Sequence, residues 1–293
     1  MKRLNYPKLK QEFPKKRAII TGAASGLGAA IAMELSLDDW TLCLLDQDME
    51  GLLRLKLSLP VTSTSPEFVV VDVSNDEKLR HAIRSFCDLR GGADLLVNSA
   101  GVGMGGWAEE SHVNDLRQLL DVNVVAVASA AAVVLPYMKA AGRGCVVNVA
   151  SAAAYHCLPF IGAYSAAKAA VVALTENLVA ELSGTGVRAA VVICAFFRSA
   201  MDRYTLGSPL AAKRNGALMR MATMTSQEAA QSTLRGIEGK RAHVVFGGQA
   251  WLLYLLKRCA PGLWLRLAPK VARKAFATAD RLIEHSHAQD RKV

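Results

Sequence analysis

Seven short runs of β-branched and leucine residues, separated by longer helical patterns, constrain the fold of this chain most. The runs are apolar throughout rather than alternating with polar residues, which predicts strands buried on both faces, as in a parallel sheet. Strands that alternate with helices predict a doubly wound α/β domain with helices on both faces of the sheet. The predicted strands are RAII (17–20), TLCLLD (41–46), EFVVVDV (67–73), DLLVNSA (94–100), GCVVNVAS (144–151), VRAAVVIC (187–194) and HVVFGG (243–248).

The domain organisation predicted from composition is one folded unit with a basic segment at each end. Residues 1–17 hold seven basic and one acidic residue, residues 250–293 hold nine and three, and the rest holds 19 and 21. We therefore expect a basic N-terminal arm over 1–16, the α/β domain over 17–249 and a basic, aromatic, helical C-terminal extension over 250–293. A nucleic-acid-binding protein would more often carry its positive charge on the folded domain, so no nucleic-acid partner is expected.

The six cysteines and six histidines form no disulfide or metal-ligand pattern. There is no C-x-x-C and no H-x-x-x-H, which predicts no metal site and a reducing, cytoplasmic location. The amino-terminal residues lack the apolar core of a signal peptide. The longest run of small apolar residues, 124–135, is shorter than a membrane span and ends at Pro136, so no membrane-spanning segment is expected.

A glycine-rich turn follows the first predicted strand. Gly22, Gly26 and Gly28 stand at the start of the next predicted helix, with the spacing G-x-x-x-G-x-G. Glycines permit a tight turn and a close approach of the backbone, and the helix N-terminus offers N–H groups to a pyrophosphate. A glycine turn alone is a weak signal, but its position after the first strand of an alternating chain predicts a dinucleotide site.

Tyr164 and Lys168, in AYSAAKAAVVAL, stand four residues apart and share one face of a predicted helix. A lone pair of this kind is more often an ordinary polar pair on an exposed face. A phenol is a poor base at neutral pH, and a neighbouring ammonium group would favour the phenolate and lower its pKa. The pair is therefore a candidate for proton transfer if the rest of the chain supplies a site around it.

Together these motifs resemble the short-chain dehydrogenase/reductase family. The resemblance is carried by T-G-x-x-x-G-x-G at 21–28, NSAG at 98–101, Asn123 in LDVNVVA, Ser151 thirteen residues before Tyr164, and Y-x-x-x-K at 164–168, and it covers roughly residues 15–248. It implies a Rossmann-like fold that transfers a hydride between a nicotinamide dinucleotide and a hydroxyl or carbonyl group. After the sixth strand the family usually has P-G and then a threonine, whereas this chain has Cys194, Ala195 and Ser199.

The resemblance implies a role for each matching residue. Tyr164 would be the general acid/base, tuned by Lys168; Ser151 would donate to the substrate oxygen, and Asn123 would anchor a water of the proton relay. The expected cofactor-binding residues are Gly22, Ser25, Gly26, Leu27, Gly28, Asp46, Asp72, Val73, Asn98, Ala100, Tyr164, Lys168 and Ser199.

Asp46, at the end of the second predicted strand, favours NAD as the cofactor. A carboxylate at this position can accept hydrogen bonds from the ribose hydroxyls of NAD and would repel the additional phosphate of NADP.

Phenylalanines, a tyrosine and methionines in the segment 196–225 predict a lipophilic substrate such as a steroid, a retinoid-like or an acyl compound. A 3-oxoacyl reductase and a dinucleotide-binding protein without catalytic activity are the alternatives.

The C-terminal extension interleaves Trp251, Tyr254 and Trp264 with basic residues. This pattern is typical of a segment that contacts an anionic membrane surface peripherally, and a tail that covers the pocket or a partner subunit is an equal alternative. Pro261 and Pro269 predict two or three short helices.

The alanine-rich helix around Tyr164 resembles the helices that pair between subunits in this family, so a homodimer or homotetramer is expected.

Overall fold

A parallel sheet of seven strands forms the centre of the computed structural model, which describes residues 6–61, 63–156, 158–198, 204–220 and 222–290. The sheet has the order β3-β2-β1-β4-β6-β7-β9, and every neighbouring pair is parallel. All seven predicted strands are therefore confirmed. Their bounds are β1 (Arg17–Thr21), β2 (Thr41–Asp46), β3 (Glu67–Val70), β4 (Leu95–Asn98), β6 (Gly144–Val149), β7 (Val187–Cys194) and β9 (His243–Phe246), and β5 (Gly103–Gly105) pairs with β8 (Thr205–Gly207) in a separate small sheet.

Helices cover both faces of the sheet, as the uninterrupted apolar strands predict. Alternate residues of one strand enter two different cores: Ala18 and Ile20 pack on one face and Ile19 packs on the other. The helices are α1 (Pro7–Glu12), α2 (Gly26–Ser36), α3 (Met49–Ser58), α4 (Asp76–Arg90), α5 (Val113–Leu120), α6 (Ala126–Ala140), α7 (Ala153–His156), α8 (Gly162–Glu181), α9 (Pro209–Arg220), α10 (Ser226–Glu238), α11 (Gly248–Cys259) and α12 (Pro261–Asp290). The first face is covered mainly by α2 and α10, and the second by α4, α6 and α8.

The segment expected to be a basic arm contains a helix that belongs to the core. Tyr6, Leu9 and Phe13 on and beside α1 are buried, and the ring of Phe13 meets the ring of Trp40 edge to face. Lys8 of the same helix is exposed, and Lys10 pairs with Asp38 at 2.7 Å. A charge count along the chain reports such basic residues and does not reveal the three apolar ones that are buried.

The C-terminal extension forms two helices, which agrees with the expected number. The expectation of short helices is wrong for α12, which runs for 30 residues because Pro269 lies inside it without ending it, while Pro261 marks its first residue. Leu253 and Tyr254 of α11 pack against a core cluster that includes Tyr155 and Ile193. The buried indole of Trp264 in α12 donates from Nε1 to the carbonyl oxygen of Tyr155 at 2.9 Å. The extension is therefore attached to the α/β domain beside α7.

One continuous helical stretch, Val113–Ala140, is longer and more apolar than the sequence analysis expected. It joins α5 and α6 through a π-helical turn (Asp121–Val125), and by length and composition alone it could cross a membrane. Half of its most apolar window is buried inside the fold, where α6 packs against α4 and β6. Burial in the core accounts for its composition.

Candidate active site

A cleft opens at the carboxyl ends of β1 and β4, where the strand order reverses direction. In open α/β sheets the loops after such a pair of strands diverge and leave a crevice that commonly binds ligands. Gly22, Gly26, Ser99 and Gly101, from the loops after these two strands, line the cleft. The hydroxyl oxygen of Thr21 joins the loops because it accepts hydrogen bonds from the N–H groups of Ser99 and Ala100, each at 3.2 Å.

The glycine turn fits the predicted pyrophosphate site. Gly22 has a φ of +69°, and a β-carbon on it would lie 2.6 Å from the backbone nitrogen of Ala100. Gly26, with a φ of +54°, begins α2, and Ser25 and Leu27 also line the cleft. The turn thus brings backbone and a helix N-terminus to the cleft wall, as an anionic group requires. Gly28 serves the turn itself, because a β-carbon there would lie 2.2 Å from the carbonyl oxygen of Gly22.

Two acidic residues also line this cleft. The Asp46 carboxylate accepts hydrogen bonds from the N–H groups of Ala24 and Asp48, both at 2.9 Å, so it braces the glycine turn as well as facing the cleft. Burial raises the pKa of Asp46 above its ordinary value, and these backbone donors oppose the shift. Asp72 accepts from the N–H of Ser74 at 2.9 Å and lies beside Val73 in the cleft wall.

Asn123 is held by the backbone of the loop after β4. It lies in the π-helical turn, fully buried, and its Oδ1 accepts from the N–H of Val102 at 3.0 Å while its Nδ2 donates to the carbonyl of Val102 at 2.8 Å. A β-carbon on Gly101 would lie 2.7 Å from Asn123 Oδ1 and 3.4 Å from Lys168 Nζ. Asn123 therefore lies close to Lys168 across Gly101, and π-helical turns often occur at functional sites.

Ser151, Tyr164 and Lys168 meet in the middle of the cleft. The Tyr164 phenol is hydrogen-bonded to the Ser151 side chain, whose oxygen also accepts from the N–H of Ala153 at 3.1 Å. Lys168 is buried, and its Nζ donates to the carbonyl oxygen of Val149 at 3.0 Å and lies 5.8 Å from the centre of the Tyr164 ring. The end of β6 and the first turns of α8 position all three side chains.

The pKa values of this group differ from the expectation. Burial raises the pKa of the Tyr164 phenol above its ordinary value, and the hydrogen bond with Ser151 opposes the shift. Burial lowers the pKa of Lys168 to about 8. Burial therefore outweighs the lowering of the Tyr164 pKa that was expected from Lys168, because removal from water disfavours the charged form of both groups.

Asn98 is the predicted cofactor residue that the structure places differently. Its side chain is buried outside the cleft, where Nδ2 donates to Asn148 Oδ1 at 2.8 Å and lies 3.4 Å from the carbonyl oxygen of Val127. Asn148 in turn donates to Thr175 Oγ1 at 3.0 Å. Asn98 therefore joins β4 to β6 and α8 through a buried polar network. Ser199 lies outside the described residues.

The segment 196–225, expected to surround the substrate, contains a helix, α9, that was not predicted. Ala211, Arg214, Asn215, Leu218 and Met219 of α9 line the cleft, and their spacing marks one face of a helix, a pattern that was available in the sequence. The Arg214 guanidinium lies 5.0 Å from the centre of the Phe160 ring.

Cys194 also lines the cleft, at the position where the family usually has proline. Burial raises the pKa of its thiol to about 11, while the nearby Lys168 opposes the shift. Its sulfur contacts the carbonyl oxygen of Ala150 at 3.9 Å. The thiol is therefore neutral at physiological pH.

The lowered pKa of Lys168 generates a prediction about stability. The unfolded chain keeps the lysine proton up to about pH 10.5, and the folded protein releases it near pH 8. Between these values the unfolded state binds more protons, so this lysine makes the free energy of unfolding rise with pH. In urea unfolding, the free energy of the wild type relative to Lys168→Met should rise by ~2 kcal/mol from about pH 7.5 to about pH 10.

Lys78→Met, at an exposed lysine of α4, is the matched control and should follow the wild type over this pH range. A difference between wild type and Lys168→Met that stays constant with pH would show that Lys168 keeps an ordinary pKa in the folded protein.

Comparison with known proteins places this site in a family. The family model for short chain dehydrogenase matches residues 16–207. A short-chain dehydrogenase/reductase from Burkholderia phymatum, solved in complex with NAD, is 29% identical with a TM-score of 0.81, over 86% of this chain and 96% of that one. A Sphingobium yanoikuyae short-chain dehydrogenase in complex with NADPH shares the fold at 24% identity, with a TM-score of 0.71 over 84% of this chain and 94% of that one.

A relative in sequence is the ketoacyl reductase HetN of Nostoc sp., which is 29% identical over 177 residues. The alignment covers 60% of this chain and 62% of that protein. The family match spans most of the α/β domain and includes the glycine turn, Asn123, Ser151, Tyr164 and Lys168. The chain belongs to the short-chain dehydrogenase/reductase family of oxidoreductases.

Proposed function

We propose that this protein is an NAD-dependent oxidoreductase that interconverts a hydroxyl and a carbonyl group on a lipophilic molecule. One observation carries the proposal: Ser151, Tyr164 and Lys168 lie in a single cleft that has a glycine turn with two carboxylates at one end and apolar side chains at the other. A dinucleotide fits the first end and an apolar substrate the second, so that the reacting groups would meet at Tyr164.

The polar end offers a residue for each part of a dinucleotide. The turn from Gly22 to Leu27 would hold the pyrophosphate, Asp46 the adenosine ribose, and Asp72 with Val73 the adenine, while Lys168 and Tyr164 would hold the ribose of the nicotinamide. When bound, the nicotinamide supplies or accepts the hydride. The solved relative in complex with NAD supports this assignment.

The protein's own contribution is the handling of the proton. Because burial raises its pKa, the Tyr164 phenol is protonated at neutral pH and can donate a proton to a carbonyl oxygen. Ser151 can donate a hydrogen bond to the same oxygen as negative charge develops on it. Lys168, held by the carbonyl of Val149, carries its positive charge below about pH 8 and would stabilise the phenolate left after the transfer.

The other end of the cleft supports a lipophilic substrate such as a steroid, a retinoid-like or an acyl compound. Its wall consists largely of aliphatic, aromatic and methionine side chains, which suit an irregular apolar molecule. They include Val102, Met104, Leu158, Phe160, Ile161, Phe196, Phe197, Leu218 and Met219.

A 3-oxoacyl reductase is the second candidate, because Arg214 lines the same end of the cleft and one relative is a ketoacyl reductase. A binding protein without catalytic activity is disfavoured, because such a protein would not need Asn123, Ser151, Tyr164 and Lys168 in one place.

A screen of secondary alcohols with NAD and of 3-oxoacyl thioesters with NADH, monitored by the absorbance of the reduced nicotinamide, would distinguish these functions.

Replacement of Tyr164 by phenylalanine should abolish turnover because it removes the proton donor while keeping the ring. We expect kcat to fall by about 10²–10⁴-fold, with the dissociation constant for NADH within a few-fold of the wild type. Tyr155→Phe is the matched control. It removes the hydroxyl of a tyrosine four residues after Ser151, and that hydroxyl is buried and does not line the cleft. Turnover by Tyr164→Phe above about a tenth of the wild-type rate would exclude Tyr164 as the acid.

The carboxylate of Asp46 should determine the choice of cofactor. A unit charge pair at ~4 Å and an effective dielectric constant of about 20 is worth roughly 4 kcal/mol, and a third of that repulsion against the phosphate of NADP already gives about tenfold. We expect kcat/KM to favour NAD by at least about tenfold and Asp46→Ser to reduce that ratio. Asp72→Ser, the control, should affect both cofactors alike, and equal use of NAD and NADP by the wild type would contradict the assignment.

We also propose that the protein forms a homodimer or homotetramer through α5, α6 and α8. Leu116 and Leu120 are exposed on α5 and Val125 is exposed in the π-helical turn that leads into α6, and α8 exposes a row of alanines at 166, 169 and 173. Sedimentation velocity should give a mass of two or four chains of 31.4 kDa, and Val125→Glu should lower it. A single-chain mass for the wild type would refute the proposed assembly.

A further inference from the structure

The two C-terminal helices expose large apolar side chains on the faces turned away from the domain. Trp251, Leu252 and Leu255 of α11 are each about half exposed, on the side opposite the packed Leu253 and Tyr254. On α12, Leu263, Leu267 and Val271 stand at i, i+4 and i+8 and are 38–53% exposed. We call these six side chains the apolar rows.

A second row on α12 is cationic. Arg266, Lys270 and Arg273 are exposed, and their spacing of four and three residues places them on one face of the helix. That face lies beside Leu263 and Leu267, while Trp264, Ala268 and Ala272 form the buried face. The helix thus has a face for the domain, an apolar face for a second surface and a positive face between that surface and water.

The position of α12 relates these rows to the substrate cleft. Trp264 donates to the carbonyl oxygen of Tyr155 in α7. Helix α7 begins two residues after Ser151, and α12 also packs on α9. Helix α9 also lines the cleft, through Arg214 and Leu218. The apolar rows therefore lie on helices that pack against elements bordering the cleft.

We propose that α11 and α12, which pack on elements bordering the substrate cleft, dock the protein on the surface of an anionic lipid bilayer. Exposed leucine, tryptophan and valine next to a row of arginine and lysine match the two parts of such a surface, the acyl boundary and the negative headgroups. Docking itself does not depend on the proposed function. The suggestion that the bilayer supplies a lipophilic substrate to the cleft does rest on it.

A second copy of the chain fits this face less well. In a two-fold symmetric contact the same patch meets itself, so Arg266, Lys270 and Arg273 of one copy would approach the same three cations of the other. Like charges brought together in this way cost binding energy. An anionic surface instead places the opposite charge against the cationic row.

Sedimentation of the intact protein with sucrose-loaded vesicles tests the proposal without any activity measurement. Vesicles of phosphatidylglycerol and phosphatidylcholine should carry the protein into the pellet at low salt, and binding should weaken at high salt as screening increases. Vesicles of phosphatidylcholine alone should bind it at least about tenfold more weakly.

Two pairs of variants separate the apolar and cationic contributions. Leu263→Asp should reduce binding about tenfold, while Leu57→Asp, at a leucine of α3 that is more exposed, should not change it. Lys270→Glu should reduce binding about tenfold as well, while Lys78→Glu should not. Thermal unfolding of each variant, which should match that of the wild type, verifies that the domain is folded.

Three outcomes would overturn the proposal. In the first, the intact protein stays in the supernatant with anionic vesicles at low salt. In the second, each variant binds to the vesicles as strongly as its control. In the third, Leu263→Asp lowers the sedimentation mass in the absence of lipid, which would assign the apolar rows to a contact between copies. Failure of Tyr164→Phe to lose turnover would refute the proposed function and leave these measurements unaffected.

Discussion

The close backbone contact between the ends of β1 and β4 is the constraint on which the site depends. Thr21 binds two successive N–H groups of the loop after β4, and Gly22 approaches Ala100 at a distance that a β-carbon would prevent. This contact holds together the two loops that diverge at the reversal of strand order. It keeps the glycine turn in the same cleft as Ser151, Tyr164 and Lys168.

From this contact, the rest of the site is fixed by hydrogen bonds to backbone groups. Asn123 holds Val102 by both of its amide atoms, and Lys168 holds the carbonyl of Val149 at the end of β6. Asp46 fixes the glycine turn from the other side. Backbone partners are insensitive to side-chain substitution, so the arrangement can persist while the residues that line the substrate end of the cleft vary.

The sequence was sufficient for those features that depend on local pattern. Apolar runs located every strand of the seven-stranded sheet, because burial on both faces leaves few polar positions, and motif spacing identified Tyr164 and Lys168. The short strands β5 and β8 of the small sheet were not predicted. It was not sufficient for α1, whose six residues include a single buried one, Leu9, too few for a helical period. The direction of the pKa shift of Tyr164 also escaped, because burial and charge act oppositely and the depth of burial depends on the tertiary fold.

The packing of α1 sets an order for folding during synthesis. Trp40 and Asp38 are partners of this segment that come soon after it, but others come late in the chain: the N–H of Lys8 donates to Glu238 at 3.0 Å, and Glu12 forms a bidentate pair with Arg188 at 2.7 and 2.8 Å. These contacts span 230 and 176 residues, so the amino-terminal helix has no complete docking site until β7 and α10 have emerged from the ribosome. Contacts of such long sequence separation form slowly. A helix that is made early is therefore among the last elements of this domain to complete its native contacts.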